Sequence, residues 1–288
     1  MNISKLFEKK DIVVSFEIFP PKPTSPISTV YDTLDALGDL NPHYISVTYG
    51  AGGTEKENST VTIAKYIKNT LLIEPLAHLT CLGTTKEEIK STLESLEQNG
   101  IKNILALRGD RSEFNNKPGD FKYASELISF IKSSGDFNVV AGCYPEKHPE
   151  APSLEQDIIN LKNKVDCGAS HLITQLFFDN ERFYDFMDKT AKAGINVPVD
   201  VGIMPLTNIK QAQKMTSLMG VNVPKKHLKM LEKFGDNPLA MREAGIVFAM
   251  EQIVDLIANG VKGIHIYTMN NPYVARRIML YLHNIFSM

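Results

Sequence analysis

Glu17 is the residue whose surroundings most demand a chemical explanation. It stands in an apolar run of Val13, Val14, Phe16, Ile18 and Phe19, where a carboxylate is costly to bury unless paired or protonated. Desolvation favours the neutral acid, which makes Glu17 a proton donor near neutral pH. A structural ion pair, with Arg108 as partner, is the alternative. A second candidate lies where Ile104, Leu105, Ala106 and Leu107 give way to Arg108, Gly109 and Asp110. A cation, a residue that permits close backbone approach and a carboxylate then share one strand end, the end at which parallel α/β folds bind ligands. A loop or helix cap is the plainer account of Asp110.

His78 and Gln175 are lone polar residues in apolar strands. Singly each reads as a satisfied core hydrogen bond; together they describe a pocket wanting neutral donors and acceptors. Asp157, Asn160 and Lys164 share one flank of a helix, ordinarily a solvated face. Phe177, Phe178, Met215 and Tyr267 read as core before they read as a stacking platform. Glu17, His78, Asp110 and His148 lack any HxH or HxxxH pairing, so no metal is expected. No strand ends in a lysine, which argues against Schiff-base chemistry.

Positioning these groups requires a regular scaffold. The patterning predicts strands over 13–19, 44–49, 75–82, 104–107, 139–144, 172–178, 197–204 and 263–269. Pro20 and Pro21 close the first strand, since neither can continue a ladder. Helices are expected over 27–37, 57–69, 85–99, 123–133, 181–193 and 208–219, with another opened by the Ser153 cap and a last one opened by Pro272. In the Ser153 helix, Leu154, Ile158, Leu161 and Val165 form the expected buried stripe. Thr85 with Glu88 is a capping-box signature. Additional helical stretches over 225–234 and 238–258 decorate the last repeat. Eight strands alternating with helices predict one α/β domain, a (β/α)₈ TIM barrel over 1–288. A doubly wound sheet is disfavoured: the glycine cluster at 50–53 lacks the third glycine of GxGxxG, Glu55 standing there.

At 288 residues, 43% of them hydrophobic, the chain suits a barrel of about 250 residues. Its 31 basic and 33 acidic residues leave a net charge of -2, no footprint for nucleic acid or an anionic membrane. A small molecule is the expected partner. The first 11 residues show no apolar leader pattern, and no segment is long enough to span a bilayer, so a cytoplasmic protein is expected. Cys81, Cys143 and Cys167 lack CxxC spacing and are expected to be free thiols.

Six strings, SFEIFPP from Ser15, VTYGA from Val47, AHLTC from Ala77, LRGD from Leu107, YPEKHPE from Tyr144 and ITQLFF from Ile173, occur in one order along the chain. Together they resemble the methylenetetrahydrofolate reductases, in the short bacterial form without a regulatory domain. That resemblance implies bound FAD, which takes a hydride from NADH or NADPH and passes it to 5,10-methylenetetrahydrofolate, the two substrates alternating on one flavin face. NADH is favoured by likeness to bacterial enzymes. Glu17 would protonate the folate N10, and Asp110 would sit beside flavin and pterin. Gln175 and Gln211 would contact folate, and Thr48 the nicotinamide substrate. For FAD the resemblance implies Tyr49, Ala51, His78, Arg108, Gly109 and Asp110, then Ala124, Tyr144, His148, Ala151, Asp157, Asn160 and Lys164. Arg108 and Lys164 would supply charge for the pyrophosphate. A homo-oligomer is also implied. Asn163, Met215 and Asn271 depart from the family's pattern, with Arg276 or Arg277 as replacement for a cation missing at 271. A non-catalytic folate-binding partner subunit and a pterin-dependent methyl transferase are the competing readings.

Overall fold

The strands of this chain are apolar on both faces because each face is buried against a different layer. From β1, Val14, Phe16 and Ile18 point outward beneath the helices, while Val13 points inward to join Leu76, Leu105, Val140 and Ile173. The computed structural model describes residues 1–21, 25–49, 54–110 and 118–288, with the side chains at 54–58, 211, 214, 215, 218 and 219 excepted.

A short turn of helix, Ile3–Lys5, and α1 (Leu6–Lys9) lead into β1 (Val13–Ile18), α2 (Ser28–Gly38), β2 (Tyr44–Val47) and α3 (Thr54–Asn69). There follow β3 (Glu74–Thr80), α4 (Lys86–Gln98), β4 (Asn103–Leu107), α5 (Ala124–Ser134), β5 (Asn138–Cys143) and α6 (Leu154–Asp166). The chain continues through β6 (His171–Thr174), α7 (Asn180–Lys192), β7 (Val199–Ile203), α8 (Ile209–Met219), α9 (Lys225–Phe234) and α10 (Pro238–Ala258). It closes with β8 (Gly263–Tyr267), α11 (Pro272–Tyr281) and α12 (His283–Phe286). The strands pair in parallel, each with the next, and β8 returns to β1. The (β/α)₈ barrel read from the sequence is the fold, and α9 and α10 are the expected decoration before the last repeat. With α8 they enclose a satellite core of Leu176, Phe178, Met204, Leu206, Met230 and Met241 at the C-terminal rim.

Local signals hold where they were specific. Thr85 accepts from Glu88 N at 3.2 Å and Glu88 returns a bond to Thr85 N at 2.8 Å. Ser153 caps α6 through Gln156 N. On α6, Ile158 and Leu161 are buried, whereas Leu154 and Val165 are partly so.

Two features depart from expectation. The sixth strand ends at Thr174, so Gln175 follows it instead of lying within it. The reason is tertiary: the Tyr267 hydroxyl donates to the Thr174 carbonyl at 2.6 Å, and Gly202 N–H turns to the Thr174 hydroxyl at 2.9 Å. The β6–β7 ladder therefore stops at the pair Ile173 and Asp200. The first residues, read only as lacking a leader, instead plug the floor of the barrel. Ile3 and Leu6 are buried among the inward-facing apolar residues, and Ile3 N donates to Asn103 Oδ1 at 3.1 Å.

Candidate active site

β1 carries Glu17 one residue before its end, pointing into the barrel at the C-terminal mouth with 8% exposure. Its register sets it beside Ser46 on β2 and Tyr267 on β8. Glu17 Oε2 lies 3.6 Å from His78 Nε2 and 3.7 Å from His265 Nε2, so two imidazoles face one carboxyl group just beyond hydrogen-bond range. The alternative of an ion pair with Arg108 is not what forms. Burial pushes His78 down to about 4, with the Glu17 charge opposing and His265 reinforcing that shift, and its ring is neutral at physiological pH. His265 is fully buried and held at both ends, 2.7 Å from Ser15 Oγ and 3.3 Å from Ser46 Oγ. Tyr267 packs edge-on against His265, and burial drives its phenol well above the usual range.

Across the mouth, β4 ends at Leu107 and delivers Arg108, whose guanidinium grips Glu150 in a two-point bridge of 2.6 and 2.7 Å. Its Nε donates to the Gly109 carbonyl. Gly109 has φ +88° and a Cβ there would press to 3.2 Å from Thr80 Cβ, so glycine is needed for both conformation and space. Asp110 follows, exposed at the rim.

The loop after β5 folds back over this edge. His148 N donates to Asp157 Oδ2 at 2.8 Å, and its ring sits edge-on to Tyr144 with centroids 4.7 Å apart. Burial and the neighbouring Arg108 lower the His148 imidazole. Burial first, and then Asp110, raises the Tyr144 phenol to about 12. Lys147, in the left-handed region at φ 96°, donates to the Ala151 carbonyl at 2.7 Å. From α6, Lys164 reaches the Gly142 carbonyl at 2.6 Å, and desolvation lowers its ammonium group.

The structure therefore gathers the expected residues into two groups. Glu17 and His78 face each other at the mouth from β1 and β3. Arg108, Gly109, Tyr144, His148, Ala151, Asp157 and Lys164 form a cation-bearing rim on β4, β5 and α6. Ala124 is the first residue of α5, and Asn160 is exposed on α6, accepting from Gln156. Thr48 extends β2, donating to the Ile18 carbonyl, while Tyr49 packs against the core. Gln175 N bonds to the Cys143 carbonyl, and its side-chain oxygen accepts from Leu176 N at 2.9 Å. Ala51 and the side chains of Gln211 and Met215 lie outside the described residues. Arg277 bonds to Tyr281 and lies along the surface of α11, which ties it to that helix. Sequence reasoning missed His265, Ser15 and Ser46. The signal for His265 was the one that exposed His78, a polar residue at an alternate position of an apolar strand.

Such a barrel, with a buried carboxyl group at the C-terminal mouth and a rim of paired charges beside it, belongs to the class of α/β-barrel enzymes that act on small ligands. The family model described as methylenetetrahydrofolate reductase matches residues 2–283. The chain is 40% identical over 278 residues to the 5,10-methylenetetrahydrofolate reductase of Escherichia coli, covering 96% of this chain and 93% of that one. It is 39% identical over 267 residues to the enzyme of the same name from Pectobacterium carotovorum, covering 93% and 89%. Among solved structures, a protein from Clostridium thermocellum described as binding two copies of 5-methyl-5,6,7,8-tetrahydrofolic acid superposes with TM-score 0.70 at 14% identity. It covers 100% of this chain and 99% of that one, and shares the fold. This chain belongs to the methylenetetrahydrofolate reductase family.

Proposed function

We propose that this protein reduces 5,10-methylenetetrahydrofolate to 5-methyltetrahydrofolate, drawing the hydride from NADH through bound FAD. The observation that carries the reading is Glu17, a buried carboxyl group faced by a neutral imidazole at 3.6 Å inside the mouth of the barrel. The rim suits a dinucleotide: Arg108, bridged to Glu150 here, and Lys164, bonded to the Gly142 carbonyl, would supply the positive charge, and Gly109 leaves the backbone open to close approach. FAD, when bound, supplies a ring that accepts and returns a hydride.

This chain's own residues do the rest. Glu17 donates its proton to N10 of the folate, and the five-membered ring opens to an iminium that can accept hydride. Asp110 places negative charge near the mouth, where it favours that cation. Gln175 offers its amide to the pterin, and Thr48 contacts the nicotinamide substrate. Arg108, His148, Asp157 and Lys164 hold the dinucleotide, and the two substrates take turns at one site. The whole chain acts as one catalytic domain and assembles with copies of itself.

The test is anaerobic spectroscopy with added FAD, NADH and then methylenetetrahydrofolate. The flavin band should bleach with NADH and recover with folate; NADPH serves as the comparison. Glu17→Gln should bleach normally and recover roughly 10²- to 10⁴-fold more slowly, because only the folate step needs the proton. Absence of flavin binding, or normal recovery in that variant, overturns the proposal.

A further inference from the structure

The β1–β8 ladder ends at the pair Glu17 and Tyr267. Beyond it, β1 is about to lose its hydrogen-bonding capacity: Phe19 has the last backbone N–H before Pro20 and Pro21, which have none. The strand end bearing the acid should therefore fray. The turn after β8 prevents this. Asn270 Oδ1 accepts from Phe19 N at 2.8 Å, and Asn270 Nδ2 donates to Phe19 O at 2.9 Å. A side-chain amide thus stands in for a peptide partner and extends the pairing past the barrel rim. Thr268, 2% exposed, donates its hydroxyl to the Glu17 carbonyl at 2.7 Å.

The backbone that presents Asn270 is strained. Met269 and Asn270 have φ 51° and 56°, both left-handed and neither glycine, and Asn271 N closes the turn on Thr268 O at 2.9 Å. Positive φ at both central positions is the pattern of a type I′ turn, which glycine and asparagine tolerate best. Such strain persists where the surroundings over-determine it. Here the amide clamp on Phe19 supplies that determination.

We infer that Asn270 is a positioning residue for Glu17: by holding the Phe19 peptide, with Thr268 holding the Glu17 carbonyl, it fixes the acid at the mouth opposite His78 and His265. The inference rests on the proposed role of Glu17.

Asn270→Gly separates the clamp from the turn, since glycine keeps the positive φ without strain and removes only the amide. The variant should melt near the parent and retain FAD and its rate of reduction by NADH. Flavin recovery with methylenetetrahydrofolate should fall on the order of 10- to 100-fold, the scale of a misplacement of about 1 Å, with a displaced pH profile. Hydrogen exchange at Phe19, read on the protein without cofactor, should accelerate. Asn270→Asp, which keeps an acceptor for Phe19 N but has no donor for Phe19 O, should also slow the folate step. Unchanged recovery and pH profile in Asn270→Gly overturn the inference, as does an equal loss in both half-reactions, which would mark a general collapse of the rim. Normal recovery in Glu17→Gln instead removes the acid assignment itself, a result independent of Asn270.

Discussion

Among the described residues two carboxylates are buried inside this barrel, and the floor treats its own differently from the mouth. Asp200, at the start of β7, is fully buried and receives on one oxygen both the Tyr44 hydroxyl and His171 Nε2, the latter at 3.0 Å. Gly263 makes room for it, because a Cβ there would overlap the carboxylate. Burial, and then Asp200, drive the Tyr44 phenol well above its ordinary range, so its proton stays where it is. Glu17 has its imidazole neighbours at 3.6 and 3.7 Å. Asp200 is tied into the floor by two donors on its Oδ2, and so serves the fold. Glu17 has two imidazoles close by, neither near enough to bind it, and faces the mouth where a ligand would enter.

That contrast is broken most directly by exchanging the amide for the acid at each site. Asp200→Asn should cost on the order of 1 to 3 kcal/mol, the scale of leaving a buried donor without its acceptor. Denaturant melts measure it, and the folate step per folded molecule should stay at the parental rate. Glu17→Gln should do the reverse, slowing that step roughly 10²- to 10⁴-fold while the melt moves little. If the two variants behave alike, floor and mouth are not distinct in kind.

Acid sharpens the comparison through the histidines. Burial lowers His78 and His227 to about 4 from an ordinary 6.5. Their folded values lie below the unfolded one, so the unfolded chain binds more protons in between. Stability is therefore full above pH 6.5 and is lost as pH falls toward 4, by up to about 1.4 kcal/mol per pH unit for each group. His227 packs its ring 4.6 Å from Phe248, away from the acid site. His227→Phe should flatten the acid limb of a stability profile without touching the kinetics. The smallest effect belongs to Thr85→Ala, which removes the α4 cap remote from both carboxylates. It should lower stability by about 1 kcal/mol and leave both half-reactions unchanged.

The barrel was legible because two-sided burial writes long apolar runs, as in Val13 to Ile18, and because caps such as Thr85 and Ser153 are local. The end of β6 was not, since it depends on the hydroxyl of Tyr267, 93 residues away. Glu17 and Arg108 could be singled out from their neighbours in the chain, but their partners could not. Arg108 pairs with Glu150, 42 residues away, and Glu17 faces His265 on a strand that sequence order puts last. The floor plug was invisible for another reason: a lysine-bearing segment with a few apolar residues becomes structure only when a barrel exists to receive it.

That plug also sets a schedule for synthesis. Ile3 bonds to Asn103, and Ser4 to Asn138 and Ser170, at separations of 100, 134 and 166 residues. Ile3 and Ser4, made before β1, must wait until the sixth strand has emerged before all of these contacts exist. In this barrel a segment made before any of the strands is among the last to be seated.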